Sequence, residues 1–353
     1  MSKAETGPTS PAPAHRLIVD IDALAGNWRA LDGMSAAAAT GAAVKADCYG
    51  LGVDKCVPVL RDAGADTFFV AHWSEVTALL DHVDPGQIAV LHGPMNSQDV
   101  EFALSTGVRP VINSLEQARR WSEHRGGACH LMVDTGINRL GVSASDFSET
   151  VLQSLEIDCM MSHLACADEN NPMNDRQLSA FREAATKIGY RRLSLSNSAG
   201  IALGGDYAFD VTRPGLALYG GVPRAEFSGT IRQVAHIEAA IIQVRNLTDG
   251  DSVGYNAQFT ADRAMRVGTV SLGYADGFLR ARGKGFALQH EDRELPVLGK
   301  VSMDMIVVDL AGAPDLAEGD WLKVPFYLPD AALQSSVSQY ELLTVLGQRL
   351  RGR

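Results

Sequence analysis

The stretch AAVKADCYGLGVDKCVPVLRDAGADTFFVAH, residues 42–72, holds two short apolar runs on either side of an amphipathic segment. AAVKAD and DTFFVAH are continuously apolar rather than alternating, which is the pattern of parallel strands buried on both faces. CVPVLRDAG between them carries apolar residues at helical spacing. The unit therefore reads strand, helix, parallel strand. It also leaves Lys45 at the end of its first strand, with an acid two residues later and an aromatic among small residues and glycines.

The same rhythm continues downstream. QIAVLHG, VRPVINS, CHLMVDT, IDCMMSHLA, RRLSLSNS and FDVTRPGLALYG read as further strands. SEVTALLDHV, SQDVEFALSTG, SLEQARRWSEHR and RQLSAFREAATKIGY read as helices between them. Eight strands are the number that closes a (β/α)8 TIM-type barrel, the fold class expected over residues 24–228, with a doubly wound open α/β sheet as the competitor. After GGVPRAEFSG the chain becomes β-rich, with turns such as DGD and EGD and no long helix until QYELLTVLGQRLRG. A second, mostly β domain is expected over residues 229–353. The early strand RLIVDID, residues 16–22, is open to either domain. Residues 1–15, MSKAETGPTSPAPAH, lack the apolar centre of a signal peptide and are expected to be disordered.

Composition narrows the partners. A hydrophobic share of 46% and a charged share of 21% are ordinary for a soluble globular protein. A formal net charge of -11 argues against nucleic acid and anionic membranes, which want clustered cations; RRL and QRLRGR are too short to alter that. No run is long and apolar enough to span a bilayer. The five cysteines, Cys48, Cys56, Cys129, Cys159 and Cys166, show no paired CxxC spacing, so neither a disulfide framework nor a metal site is expected, and a reducing cytoplasm fits.

Lysine is scarce, seven against twenty-four arginines. Its amine can lose a proton when desolvated and attack a carbonyl, whereas guanidinium stays charged. Lys45 is thus either a nucleophile or a strand-end lysine whose head reaches water. In a parallel barrel the C-terminal strand ends carry the active site. Lys45, Asp134, Asn138, Arg139, His163, Asn197, Ser198 and Arg213 all fall there. Singly each has an ordinary alternative: Asp134 as a turn cap, His163 as a satisfied core histidine, Arg213 as the partner of a carboxylate. Their shared rim favours one cavity. SNSAG and RPGLALYGG add hydroxyl and backbone N–H donors of the kind that hold phosphate after the last two barrel strands. A reactive lysine facing a phosphate cradle points to pyridoxal phosphate.

AAVKADCYGLG, VDTGINRLG, SHLACAD, SNSAG, RPGLALYG, VGYNAQFTA, LGYADG and GKVSMDM follow one another in the order found in alanine racemases, and the chain resembles that family from about residue 16 almost to its end. The resemblance implies a barrel followed by a β domain that includes the early strand. It implies a cytoplasmic homodimer, head to tail with shared active sites, interconverting L- and D-alanine to supply D-alanine for peptidoglycan precursors. Pyridoxal 5'-phosphate would be held as an imine on Lys45. Lys45 would then be one of two acid/base groups, because racemisation removes a proton from one face of Cα and returns it on the other. Tyr255, from the partner subunit, matches the second. A phenol titrates near 10, so neighbours must make its phenolate accessible, and His163 and Arg213 match the family residues linked to it. Arg213 also matches the arginine facing the pyridine nitrogen, where a permanent cation disfavours protonation and restrains transamination. Arg139 matches the arginine that contacts the cofactor's phenolic oxygen and the substrate carboxylate. Tyr49, Ser198 and the amides near Gly215 and Leu216 match phosphate contacts. Met303 and Asp304 match the partner segment near the substrate, and Tyr274 an aromatic at the entrance.

Two positions depart from the family pattern. Many members carry, where this chain has Met132, a lysine that becomes carbamylated and orients the arginine matching Arg139; methionine cannot do so, so either an anion, another carboxylate or water supports Arg139 or its positioning is looser, and a chloride-like anion is the expectation. Many members also supply a phosphate-contacting tyrosine near the C-terminus, where this chain has Gln348. Related decarboxylases use a cysteine in the second domain, and here all five cysteines precede residue 170. Noncatalytic pyridoxal-phosphate carriers consist of the barrel alone. The remaining alternative is a serine or broad-specificity racemase sharing every motif.

Overall fold

A computed structural model describes residues 13–351. They form two compact units, Val19–Val234 and the chain from Ala235 onward together with the segment before Val19.

The first unit alternates strand and helix. Its strands are β2 (Ala39–Thr40) and β3 (Ala42–Ala43), halves of one strand broken at Gly41, then β4 (Phe68–Val70), β5 (Ile88–Val90), β6 (Arg109–Ile112), β7 (Cys129–Met132), β8 (Ile157–Met161), β9 (Arg192–Ser194) and β10 (Val211–Thr212); β1 (His15–Val19) precedes them. Strands β3 to β9 pair in parallel, each with the next. β10 joins the two ends. It pairs in parallel with β2, and toward β9 Asp210 N donates to Leu193 O (3.0 Å) and Arg213 N to Ser196 O (2.9 Å). Across the seam Gly41 N donates to Thr212 O (3.0 Å) and Ala43 N to Pro214 O (2.8 Å). With the broken strand counted once, eight parallel strands close the expected barrel, and the open sheet is excluded.

Continuous burial explains why these runs became barrel strands: β4, β5 and β8 are buried along their whole length. The helices between them show one apolar stripe each. Val53–Ala63 buries Val53, Cys56, Val57 and Leu60, the i, i+3, i+4, i+7 spacing of a single helix face. Side-chain caps set the starts: Asp20 accepts from Ala23 N, Asn96 from Asp99 N and Ser114 from Gln117 N.

The second unit is antiparallel. It contains β11 (Ala235–Leu247), β12 (Ser252–Val253), β13 (Phe259–Thr260), β14 (Met265–Val270), β15 (Ala287–His290), β16 (Arg293–Leu298), β17 (Ile306–Asp309) and β18 (Trp321–Val324). β11 shifts register between Ile241 and Gln243; its first half pairs with β18 and its second with β14. The order β11-β14-β17-β16-β15-β18 thus returns to β11 and closes a small barrel, with β1 beside β11. Burial alternates here, Ile306 and Val308 inward on β17, Leu322 and Val324 inward on β18, as a one-sided sheet requires.

Several expected boundaries move. The early strand ends at Val19 rather than 22, because the Asp20 carboxylate caps Ala23 N (2.8 Å) and opens the helix Ile21–Met34. The first unit runs to Val234 rather than 228. Asn27 holds that segment, accepting from Arg232 N (2.8 Å) and donating to Arg232 O (2.8 Å) and Leu218 O (3.1 Å). A helix, Leu328–Ser335, with Pro329 in its first turn, precedes the one expected from QYELLTVLGQRLRG. That second helix stops at Thr344, and Gln348–Arg351 form a separate 3-10 turn. Of the segment expected to be disordered, residues 1–12 lie outside the described residues, and His15 is already in β1.

The closed N-terminal end of the first barrel holds a buried charge network. Asp158 of β8 accepts from Arg109 (2.7 Å) and Arg192 (2.7 Å), with His130 Nδ1 3.8 Å away. Burial pushes the His130 imidazole down to about 3, Asp158 opposing and Arg109 and Arg192 reinforcing. An unfolded histidine titrates near 6.5, so below that value the unfolded chain takes a proton that the folded chain refuses. The stability this supplies is complete above pH 6.5 and is lost as pH falls toward 3, at up to about 1.4 kcal/mol per pH unit. Urea unfolding between pH 6 and 4.5 is expected to show a shallower pH slope for His130→Leu than for wild type. Equal slopes would mean the imidazole is charged in the fold.

Candidate active site

Lys45 lies two residues past the end of β3, after Val44, at the C-terminal rim of the barrel, and the backbone then does something its sequence does not announce. Ala46, Asp47, Cys48 and Tyr49 all take φ between +53° and +55°, a left-handed turn that costs an ordinary residue about 1–2 kcal/mol each. None of the four is glycine, so the turn must be held from outside. Asp47 Oδ1 accepts from Val53 N (2.8 Å) at its far side. At its near side Glu75, missed in the sequence, accepts from Ala46 N (2.5 Å), Ala71 N (2.7 Å) and His72 N (2.9 Å). Its only sequence signal is its place as the third residue after His72 in a capping box. The lysine itself is half-buried, and burial lowers its pKa; Arg139 and Arg213 add to that effect and Glu75 opposes it. This is the electrostatic setting of a lysine able to act as a neutral amine.

Arg213 is 6% exposed. Its guanidinium donates to Ser194 Oγ and to Ser162 O (2.5 Å), and no carboxylate among the described residues pairs with it. The simple ion-pair alternative is therefore excluded, and burial pulls Arg213 down to about 10. His163 is also desolvated: burial pushes it down to about 3, with Arg213, Arg139 and Lys45 adding in that order. The mutual influence of these four groups places them around one mouth. Arg139 reaches it by way of a tight turn in which Asp134 Oδ1 accepts from Gly136 N (2.8 Å) and Asn138 N (3.1 Å). Asp134 is thus a turn cap. Arg139 is exposed and has no carboxylate partner among the described residues, and Met132 is buried on β7.

Next to the Lys45 strand, on the other side of the seam, two short helical turns begin side by side. Asn197 caps Ser198–Ile201, accepting from Gly200 N (2.9 Å). Ser198 Oγ accepts from Gly215 N (2.8 Å) and Ala217 N (3.2 Å), so it sits at the start of the turn Leu216–Tyr219. A Cβ at Gly215 would come within 2.2 Å of the Tyr49 hydroxyl oxygen, so only glycine lets that phenol approach. Tyr49 stacks on Tyr219 (4.8 Å between centroids), whose hydroxyl donates to Ala43 O (3.0 Å). The Ser198 and Tyr49 hydroxyls gathered at the start of this turn are donors of the kind that cradle an anion.

The remaining expected residues lie in the second unit. Tyr255 opens a short turn after Gly254 (φ 74°) and is 67% exposed. Tyr274 and Met303 are exposed on adjacent loops, joined by Tyr274 N donating to Ser302 O (3.1 Å) and Ala275 N to Met303 O (3.0 Å). A Cβ at Gly273 would meet Met303 O at 2.2 Å. Arg349, also missed in the sequence, bridges these loops: it meets Asp276 (2.9 Å) and Asp304 (2.8 Å). Gln348 beside it is exposed.

This arrangement agrees with the comparisons. The family model described as alanine racemase, N-terminal domain, matches residues 19–223, and that for the C-terminal domain matches residues 234–353. The catabolic alanine racemase of Agrobacterium fabrum is 38% identical over 352 residues, spanning 95% of this chain and 90% of that one. The biosynthetic alanine racemase of the same organism is 39% identical over 373 residues, spanning 98% and 94%. The crystal structure of alanine racemase from Bartonella henselae with covalently bound pyridoxal phosphate superimposes with a TM-score of 0.87 at 33% identity, covering 96% of this chain and 98% of that one. Both domain models in order on one chain, a closed βα barrel whose rim carries a desolvated lysine on the strand beside an anion cradle, and relatives similar over nearly their full length lead to one statement: the chain belongs to the alanine racemase family.

Proposed function

We propose that this protein interconverts L- and D-alanine with pyridoxal 5'-phosphate as cofactor. The observation that carries the reading is a lysine with a lowered pKa at the barrel rim, on the strand beside an anion cradle. The residues fit the cofactor: Lys45 for its aldehyde, Ser198, Tyr49 and the Gly215–Leu216 backbone for its phosphate. Arg213, a buried cation with no carboxylate partner among the described residues, suits an unprotonated ring nitrogen. When bound, pyridoxal phosphate would supply an electron sink for the substrate, weakening its Cα–H bond.

The chain's own groups then have distinct tasks. The Lys45 amine moves the proton on one face of Cα, its basicity set by burial and two arginines. Tyr255 moves it on the other face, contributed by the partner subunit of a homodimer. That assignment is supported by the exposure of Tyr255, Tyr274 and Met303 on the second unit and by the family's motifs. Neutral His163 and cationic Arg213 bias the phenol's proton. Arg139 holds the substrate carboxylate. The Arg349 links to Asp276 and Asp304 fix the loops carrying Tyr274 and Met303, which set the room for the substrate side chain. Among the described residues no helix is long and apolar enough to cross a membrane, and a cytoplasmic enzyme supplying D-alanine for peptidoglycan is the reading we favour.

Racemisation of a panel of L-amino acids with added cofactor tests this directly. Alanine turnover well above serine is expected; comparable rates would favour the broad-specificity alternative, and no turnover of any would remove the reading. A second expectation concerns Arg139, left without a carboxylate where Met132 is buried. Crystals grown with bromide should show an anomalous peak beside its guanidinium, and the KM for alanine should fall as chloride replaces a bulky anion at fixed ionic strength. A map with only apolar contacts there removes the idea.

A further inference from the structure

We propose that Glu75 is a positioning residue for this reaction, tying the backbone just past Lys45 to the end of the neighbouring strand and so fixing where the lysine amine and the Tyr49 hydroxyl stand. The inference rests on the racemase reading above. One carboxylate oxygen accepts from Ala46 N (2.5 Å), the first residue of the left-handed turn after β3. The other accepts from Ala71 N (2.7 Å) and His72 N (2.9 Å), which follow β4. One side chain therefore spans two adjacent strand ends at the rim.

The turn needs such a clamp. Four consecutive non-glycine residues near φ +55° have no local preference for that conformation. Lys45 stands at one end of them and Tyr49 at the other, so any relaxation toward ordinary backbone moves the amine and the phenol relative to each other. Asp47 secures the far side, through Val53 N. Glu75 has a second influence on the same lysine: its negative charge works against burial, Arg139 and Arg213, and raises the amine's pKa. Glu75 thus fixes the backbone that places the amine and also moderates its basicity, while touching neither substrate nor cofactor.

Three variants of the holoenzyme separate these effects. Glu75→Ala removes both clamp and charge, Glu75→Gln keeps the size but turns an amide N–H2 toward backbone donors, and Glu75→Asp keeps the charge with a shorter reach. Each is assayed for kcat and KM in both directions, for the visible absorbance of the lysine-bound cofactor, and for melting temperature. We expect Glu75→Ala and Glu75→Gln to lower kcat about ten- to hundredfold per bound cofactor, the scale of a small misplacement, with little change in the KM for alanine. Glu75→Asp should recover part of the loss. A lower melting temperature with kcat per bound cofactor unchanged would show a merely structural role and overturn the proposal. A colourless, inactive wild type would remove the racemase reading itself, whereas an active wild type with unaffected variants removes only this inference.

Discussion

Lys45→Ala is expected to lower racemisation in both directions by about 10³-fold or more, because on the proposed reading it removes a covalent anchor and an acid/base group at once. The structure gives a reason why no neighbour substitutes. The other cations at the mouth, Arg139 and Arg213, are guanidinium groups that neither form an imine readily nor give up a proton at neutral pH. Lys45→Arg should therefore fail as fully as Lys45→Ala, although it restores a positive charge. The visible band of lysine-bound cofactor should vanish in both variants. Cofactor should still bind reversibly through Ser198, Tyr49 and the Gly215–Leu216 backbone, since that cradle does not depend on the lysine side chain. The measurements are kcat from each enantiomer, the absorption spectrum, and cofactor retention after dialysis. Activity in Lys45→Ala within tenfold of wild type would sink the assignment.

What made Lys45 legible is the same feature that made the barrel legible. Continuous burial on both faces writes itself into a run of apolar residues, so β4, β5 and β8 stand out in the sequence. A polar residue ending such a run is conspicuous for the same reason. Glu75 was hidden because its partners are backbone amides, which have no letters: the carboxylate bonds Ala46 N from 29 positions away. The left-handed turn was hidden because tertiary bonds hold it against local preference, without the glycine or asparagine that normally signals positive φ. Arg349 read as part of a short basic tail, yet it reaches Asp276 and Asp304 far earlier in the chain. Asn27 likewise moved the unit boundary by reaching Arg232 and Leu218. In each case burial was legible and long-range hydrogen bonding was not.

Tyr255→Phe is expected to lower kcat by about 10² to 10⁴-fold while leaving Lys45 chemistry intact, since only one O–H is lost from an exposed side chain. Because the two enantiomers are equal in energy, kcat/KM must stay equal in the two directions whatever the mutation does. The asymmetry appears elsewhere. Lys45 can still remove and return the α-proton of the enantiomer whose hydrogen points at it, so that enantiomer should exchange its α-proton with D2O without inverting. The other, which relies on the phenol, should exchange far more slowly. Two-sided exchange at wild-type rates would show that a different group stands opposite the lysine. Co-expression of Lys45→Ala with Tyr255→Phe then tests where the phenol comes from. If each site takes its lysine from one subunit and its tyrosine from the other, a mixed dimer has one site with both defects and one with neither, so two inactive variants together regain activity. If each subunit supplies both groups to its own site, every site in the mixture carries a defect and the mixture stays inactive.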